Sequence, residues 1–163
     1  MIILVADTSV LIDLERGGLF EVALRGPDII ASPDFLFERE LAQNIGPRLL
    51  ELGMQVLVLD DAEMNTAQAL HNGGHGLSLP DCSAYVGACR PNYELLAGDG
   101  ALRRHANTTQ VTCHGLLWLL DRLHDTGTAT PAALHAALTT ISGHRRGRLP
   151  PAEVQLRLRR WQW

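Results

Sequence analysis

Residues 2–9 read Ile2-Ile3-Leu4-Val5-Ala6-Asp7-Thr8-Ser9. Successive side chains of a strand point to opposite faces, so the unbroken apolar run Ile2 to Ala6 can be buried only where both faces are covered. That reads as a buried strand of a parallel sheet. The run stops at a carboxylate followed by two hydroxyl residues, so the strand delivers an acid at its carboxyl end. No basic segment precedes it, which argues against a signal peptide.

The same pattern recurs downstream. Asp28-Ile29-Ile30-Ala31, Gln55 to Leu59 and Glu94 to Ala97 read as further strands, and Gln110-Val111-Thr112 as an edge strand. Helical segments separate them. Val10 to Leu14 and Leu19 to Leu24 are short. Ser32-Pro33 starts a helix running to about Asn44, with a capping hydroxyl and Pro in the first turn. Gly46-Pro47 ends it, and Arg48 to Leu52 is a further short helix. Asp60 or Asp61 caps a helix to about Leu70. Ser78-Leu79-Pro80-Asp81 opens another, to about Cys89. Ala101 to Ala106, Gly115 to His124 and Pro131 to Ile141 follow, and Pro150-Pro151 introduces a last amphipathic helix. Strands alternating with helices predict an α/β fold, a mainly parallel sheet of four to five strands covered on both faces. We expect residues 1–127 to form this unit and residues 128–163 a C-terminal helical extension.

The composition narrows the function classes. The chain has 163 residues and no apolar run near the roughly 20 that a membrane span needs, so a cytoplasmic protein is expected. Its three cysteines, Cys82, Cys89 and Cys113, form no CxxC pair and read as small buried hydrophobes. The net charge is -4, which argues against non-specific adhesion to nucleic acid. The basic residues are all Arg, and six of the 14 lie near the C-terminus: Arg145, Arg146, Arg148, Arg157, Arg159 and Arg160. They serve either a nucleic-acid contact or a solvated helix face.

Ligands of open α/β sheets bind outside the carboxyl ends of the strands. Asp7 follows the first strand and Asp99 the fourth. Asp81 lies in a first helical turn, and Glu38 or Glu40 on the helix after the second strand. Singly, each has a plain structural explanation as a cap, a turn residue or a solvated charge. Gathered at one sheet end they would repel, and hard oxygen ligands of that kind select Mg²⁺ or Mn²⁺.

The order of the motifs resembles the PIN-domain family. The matching pieces are Val5-Ala6-Asp7-Thr8-Ser9 with Val10-Leu11-Ile12-Asp13, then Glu40-Leu41, then Leu77-Ser78-Leu79-Pro80-Asp81, then Leu95-Leu96-Ala97-Gly98-Asp99 with Leu102-Arg103. The resemblance spans about Ile2 to Thr112. It implies a metal-dependent ribonuclease with Asp7, Glu40, Asp81 and Asp99 binding Mg²⁺ or Mn²⁺, and Ser9 assisting the first Asp. It also implies an RNA substrate and, at this size, the toxin half of a toxin–antitoxin pair with a cognate antitoxin. Glu-Leu favours Glu40 over Glu38, which points the other way on a helix. Ala97 stands where the family commonly has Thr or Ser. Arg103 and Arg104, just after Asp99, are candidate phosphate contacts.

Other readings fare worse. A receiver domain needs a Lys, and the chain has none. A haloacid-dehalogenase-type phosphatase needs a second Asp where Ser9 stands. No G-x-G-x-x-G follows the first strand. A non-catalytic RNA- or protein-binding module of the same fold is the main rival. His71 and His75 have metal-pair spacing but flank Asn72-Gly73-Gly74, which reads as a loop. The helix carrying Trp118 reads as core. The Arg- and Trp-rich segment from Leu149 packs on the domain, forms a dimer contact, or binds a partner or RNA; a homodimer is expected from base rates.

Overall fold

A computed structural model describes residues 1–144 and 149–162; Arg145, Arg146, Arg148 and Trp163 lie outside the described residues. Five strands form one sheet: β1 (Ile3–Ala6), β2 (Ile29–Pro33), β3 (Gln55–Leu57), β4 (Tyr93–Leu96) and β5 (Cys113–His114). Their order is β3-β2-β1-β4-β5, and every neighbouring pair is parallel. β1 is central: Ile3 is in register with Ile29 on one side and with Tyr93 on the other. Leu4, Val5 and Ala6 are all fully buried, so both faces of β1 are covered, as the unbroken apolar run requires.

The helices are α1 (Thr8–Arg16), α2 (Phe20–Leu24), α3 (Asp34–Leu36), α4 (Gly46–Glu51), α5 (Asp61–Asn72), α6 (Leu79–Ala88), α7 (Gly100–Thr108), α8 (Leu116–Asp125), α9 (Pro131–Ser142) and α10 (Pro151–Arg160). α6 packs over β1, β2 and β4 and against α5. It approaches closely because of Gly87, where a Cβ would meet Leu57 at 3.0 Å and Val5 at 3.6 Å. α9 packs on α1, α8 and α10. The α1–α9 contact also depends on a glycine, since a Cβ at Gly17 would stand 2.8 Å from Ile141.

Several local expectations are corrected. The segment after the second strand is not one helix from Ser32. Ser32 and Pro33 remain in β2, with the Ser32 side chain buried. Helix begins at Asp34, and Phe37–Leu41 is a π-helical turn closed by Ala42 N–H on the Phe37 carbonyl at 2.8 Å. Gly46-Pro47 opens α4 where a stop was expected, because Pro fits a first helical turn. The edge strand is Cys113–His114 and not 110–112: Gln110 has φ 62°, a left-handed conformation that no strand accepts. Only Cys82 of the three cysteines is buried; Cys113 is half-buried and Cys89 exposed. Trp118 is half-buried rather than core, stacked on His114 at 3.6 Å, while Leu116, Leu119, Leu120 and Leu123 carry the buried face of α8.

The C-terminal helix lies on the body of the molecule. Trp161 is fully buried and Val154 nearly so. Arg157 makes a forked contact with Asp121 of α8 (Nη2 to Oδ2 2.7 Å, Nε to Oδ1 3.0 Å), and Arg160 reaches Asp125 at 2.9 Å. Arg157 and Arg160, two of the six C-terminal Arg residues, are therefore ion-paired to α8. At the other end of the sheet, Asp28 is buried, accepts Ile2 N–H at 2.9 Å and is clamped by Arg122. That contact ties the start of β1 to α8.

Truncating Trp161 leaves a cavity under α10. Trp161→Ala is expected to lower stability by about 3–5 kcal/mol, and Trp161→Phe by less, in urea unfolding followed by circular dichroism.

Candidate active site

The strand order reverses at β1. β2 and β3 lie on one side of it, β4 and β5 on the other. A crevice forms at such a switch point, at the carboxyl ends of the two strands that flank it. Here those strands end in Asp7 and Asp99.

Asp7 is 1 % exposed. It caps α1: Oδ1 accepts Val10 N–H and the Ser9 hydroxyl, each at 2.9 Å. Oδ2 accepts Gly98 N–H at 2.9 Å and Asp99 N–H at 3.1 Å. All four donors suit the ionised carboxylate. Burial pushes its pKa up, and the four hydrogen bonds oppose that push. Gly98 is needed for the approach: a Cβ there would stand 2.6 Å from Ser9 Oγ.

Asp99 caps α7, its Oδ2 accepting Leu102 N–H at 2.9 Å. Asp81 lies in the first turn of α6, where Ser78 is the cap and accepts Asp81 N–H at 3.1 Å. Ser78 thus leaves the Asp81 carboxylate unspent on capping. Burial, then Asp7 and Asp99, and also Glu40, push the Asp81 carboxyl up to about 6. The acids of all four motifs are therefore within electrostatic reach of Asp81. Glu40 comes from the π-helical turn, and its Oε1 accepts the Thr8 hydroxyl at 3.1 Å. Glu38, two residues earlier, is exposed to solvent. A π-turn changes the angular phase of a helix and often occurs at functional sites.

The surroundings contain cations. Arg103 is exposed and lies over Gly115, where a Cβ would meet its Nη1 at 2.9 Å. Arg104 folds over Gly100 and lines a cleft with His75 and His105. Burial and His75 hold His105 below the usual histidine range. The two spaced histidines diverge: His71 Nδ1 meets the Leu77 carbonyl at 2.8 Å, while His75 packs on His105 with ring centroids 5.0 Å apart. Among the described residues no group of three or more His, Cys, Asp or Glu is drawn tightly around one point.

A PIN-domain family model matches residues 3–162. The chain belongs to the PIN-domain family. No curated protein and no solved structure matches it. The match takes in α9 and α10, beyond the stretch where motifs were legible in the sequence. The parallel sheet with acids at its switch point is thus a PIN domain's nuclease-type fold.

Sequence reading passed over three residues of this PIN domain's crevice. Thr8 holds Glu40, Gly98 makes room for Ser9, and Asp13 is a half-buried carboxyl on α1 paired with Arg16 at 3.3 Å. Thr8 and Asp13 stood in the quoted motif, but nothing in a linear string distinguishes a hydroxyl facing Glu40 from one facing water.

Asp7 and Asp81 should respond oppositely to neutralisation. Asp7→Asn turns an amide NH₂ toward backbone N–H donors whichever way it rotates, and is expected to cost about 2–4 kcal/mol in urea unfolding. Asp81→Asn relieves repulsion and should leave the protein as stable or more so. In metal-free protein the folded-state pKa of Asp81 stands above its ordinary value of 3.8. The folded state therefore binds the proton more tightly. The stability this contributes is complete below pH 3.8 and is lost as pH rises through about 6. Asp81→Asn should gain on the parent by ~2 kcal/mol between those limits. An unchanged difference across that window would refute the upward push on Asp81.

Proposed function

We propose that this PIN domain is a metal-dependent endoribonuclease that hydrolyses RNA phosphodiesters. What supports the reading is Asp81, whose carboxyl is pushed up by burial first and then by the charges of Asp7, Asp99 and Glu40, beside the switch point where Asp7 and Asp99 meet. The donor chemistry fits a hard divalent ion, since carboxylate oxygens suit Mg²⁺ or Mn²⁺. The four acids would hold it. When bound, such an ion activates water and offsets charge on the phosphodiester.

The chain's own groups have separable tasks. Asp7 is the rigid member, fixed by four hydrogen bonds. Ser9 orients it, and Thr8 holds Glu40 in place. Arg103 and Arg104 sit beyond the acids on α7, where planar guanidinium groups suit the flanking phosphates. Negative crevice walls would otherwise repel RNA, so these cations favour its approach.

In biological terms the reading extends to the toxin of a toxin–antitoxin pair acting in the cytoplasm. Its cognate antitoxin would cover the crevice, and the toxin would work as a homodimer. This part rests on the family resemblance. A small DNA-binding protein encoded next to this chain, co-purifying with it and inhibiting cleavage, would support it.

Cleavage of a mixed-sequence RNA should require Mg²⁺ or Mn²⁺ and stop with EDTA. Asp81→Asn should lower the rate roughly a hundredfold or more while retaining thermal stability. Undiminished cleavage would refute the assignment. Thr8→Val should weaken Mn²⁺ binding in calorimetry by about tenfold, since it frees Glu40. An absence of any Mn²⁺ binding by the parent protein would instead favour the non-catalytic RNA- or protein-binding module.

A further inference from the structure

A cavity of about 490 Å³ opens beside the acids. It shares Ser9, Gly98 and Asp99 with the crevice, and then runs along α1 away from Asp7. Its walls are apolar where Ile12, Leu116, Leu149 and Pro150 line it. Two charged groups of α1, Asp13 and Arg16, line it as well. Arg16 Nη1 donates to Asp13 Oδ1 across a long 3.3 Å, and their side chains are 27 % and 19 % exposed. The nuclease chemistry proposed above uses neither Asp13 nor Arg16 nor the four apolar residues.

The cavity has the character of a nucleotide-sized site: a concave space with an apolar wall on one side and the charged groups Asp13, Arg16, Asp99 and Arg103 around it. It has the volume for a nucleotide. Its position relates it to the crevice through a rigid element. Asp13 lies six residues along α1 from Asp7, about 9 Å along the helix axis. That is comparable to the reach from a phosphate to the Watson–Crick edge of the base it carries. Single-stranded RNA is read by splaying out a base, packing its face on side chains and bonding its edge.

We propose that this cavity is a nucleobase subsite for guanine next to the cleaved phosphate, its ring against Ile12, Leu116, Leu149 and Pro150 and its edge on Asp13. An ionised carboxylate only accepts hydrogen bonds. Guanine alone among the four bases offers it two adjacent donors, N1–H and the exocyclic amine. Cytosine and adenine present an amine beside an acceptor, and uracil a single N–H between two carbonyls. Arg16 holds the Asp13 carboxylate ready from the side, and Arg103 lines the same cavity toward the acids.

The proposal rests on the RNA-cleaving reading, and mononucleotide binding separates the two. The full chain in EDTA is titrated with 5′-GMP, 5′-AMP, 5′-CMP and 5′-UMP by calorimetry, and its cuts in a mixed-sequence RNA are mapped with Mn²⁺. GMP should bind about tenfold more tightly than UMP, and cuts should fall beside G. Asp13→Asn should level that preference. Ile12→Trp, which fills the cavity, should abolish GMP binding with an unchanged circular dichroism spectrum. Equal binding of the four nucleotides, no binding, or a preference that survives in both variants would overturn the subsite, even if RNA is cut. GMP preference without RNA cleavage would sustain the subsite and overturn the nuclease reading.

Discussion

The Asp7 carboxylate joins parts of the chain 91 residues apart. One oxygen closes the first turn of α1, and the other accepts the two backbone N–H groups that follow β4. A buried carboxylate is costly unless its lone pairs are met. Here all the donors come from elements that must be in their final places. The crevice is therefore built around an acid that folding has already committed, and each neighbouring feature answers to it. Gly98 lacks a side chain so that Ser9 can reach Asp7. Asp99 then caps α7 immediately after donating its own N–H to Asp7.

The remaining acids are held less tightly, and the contrast has a physical basis. Asp81 is relieved of capping by Ser78, Glu40 is steered by one hydroxyl, and Asp99 spends one oxygen on Leu102. Asp81 is pushed up by burial first and then by the charges of Asp7, Asp99 and Glu40. Elsewhere in this chain carboxylates meet guanidinium groups directly: Asp28 with Arg122, Asp121 with Arg157, Glu63 with Arg90. The fold pairs acids with arginines at these three structural joints, whereas Asp81 carries the charges of Asp7, Asp99 and Glu40 on top of its burial. Such a perturbed carboxyl is characteristic of functional sites.

The same arginine pairings hold the C-terminal helix on the body of the molecule. In the sequence, the Arg- and Trp-rich segment is open to packing on the domain, a dimer contact, or a partner or RNA contact. Asp121 and Asp125 of α8 take up Arg157 and Arg160, and Trp161 is fully enclosed. The helix is part of the body. Leu149 and Pro150, which lead into it, line the cavity beside the acids.

The residues by themselves determined a good deal. An unbroken apolar run ending in Asp is a local pattern, and it specifies a doubly covered parallel strand with an acid at its end. The helix-start signals Ser78-Leu79-Pro80-Asp81 and Asp60 or Asp61 are local too, and they placed α6 and α5 to within a residue or two. Three things depended on contacts distant in sequence and were decided only by the tertiary structure. The order β3-β2-β1-β4-β5 set Asp7 and Asp99 side by side, which no spacing encodes. The π-helical turn set Glu40 rather than Glu38 against Thr8, because its phase depends on packing and not on propensity. The partner of each arginine was fixed by which helix lay across from it. Strand, cap and turn arise from neighbours along the chain; a site assembled from four separate segments exists only once the sheet has brought their ends together.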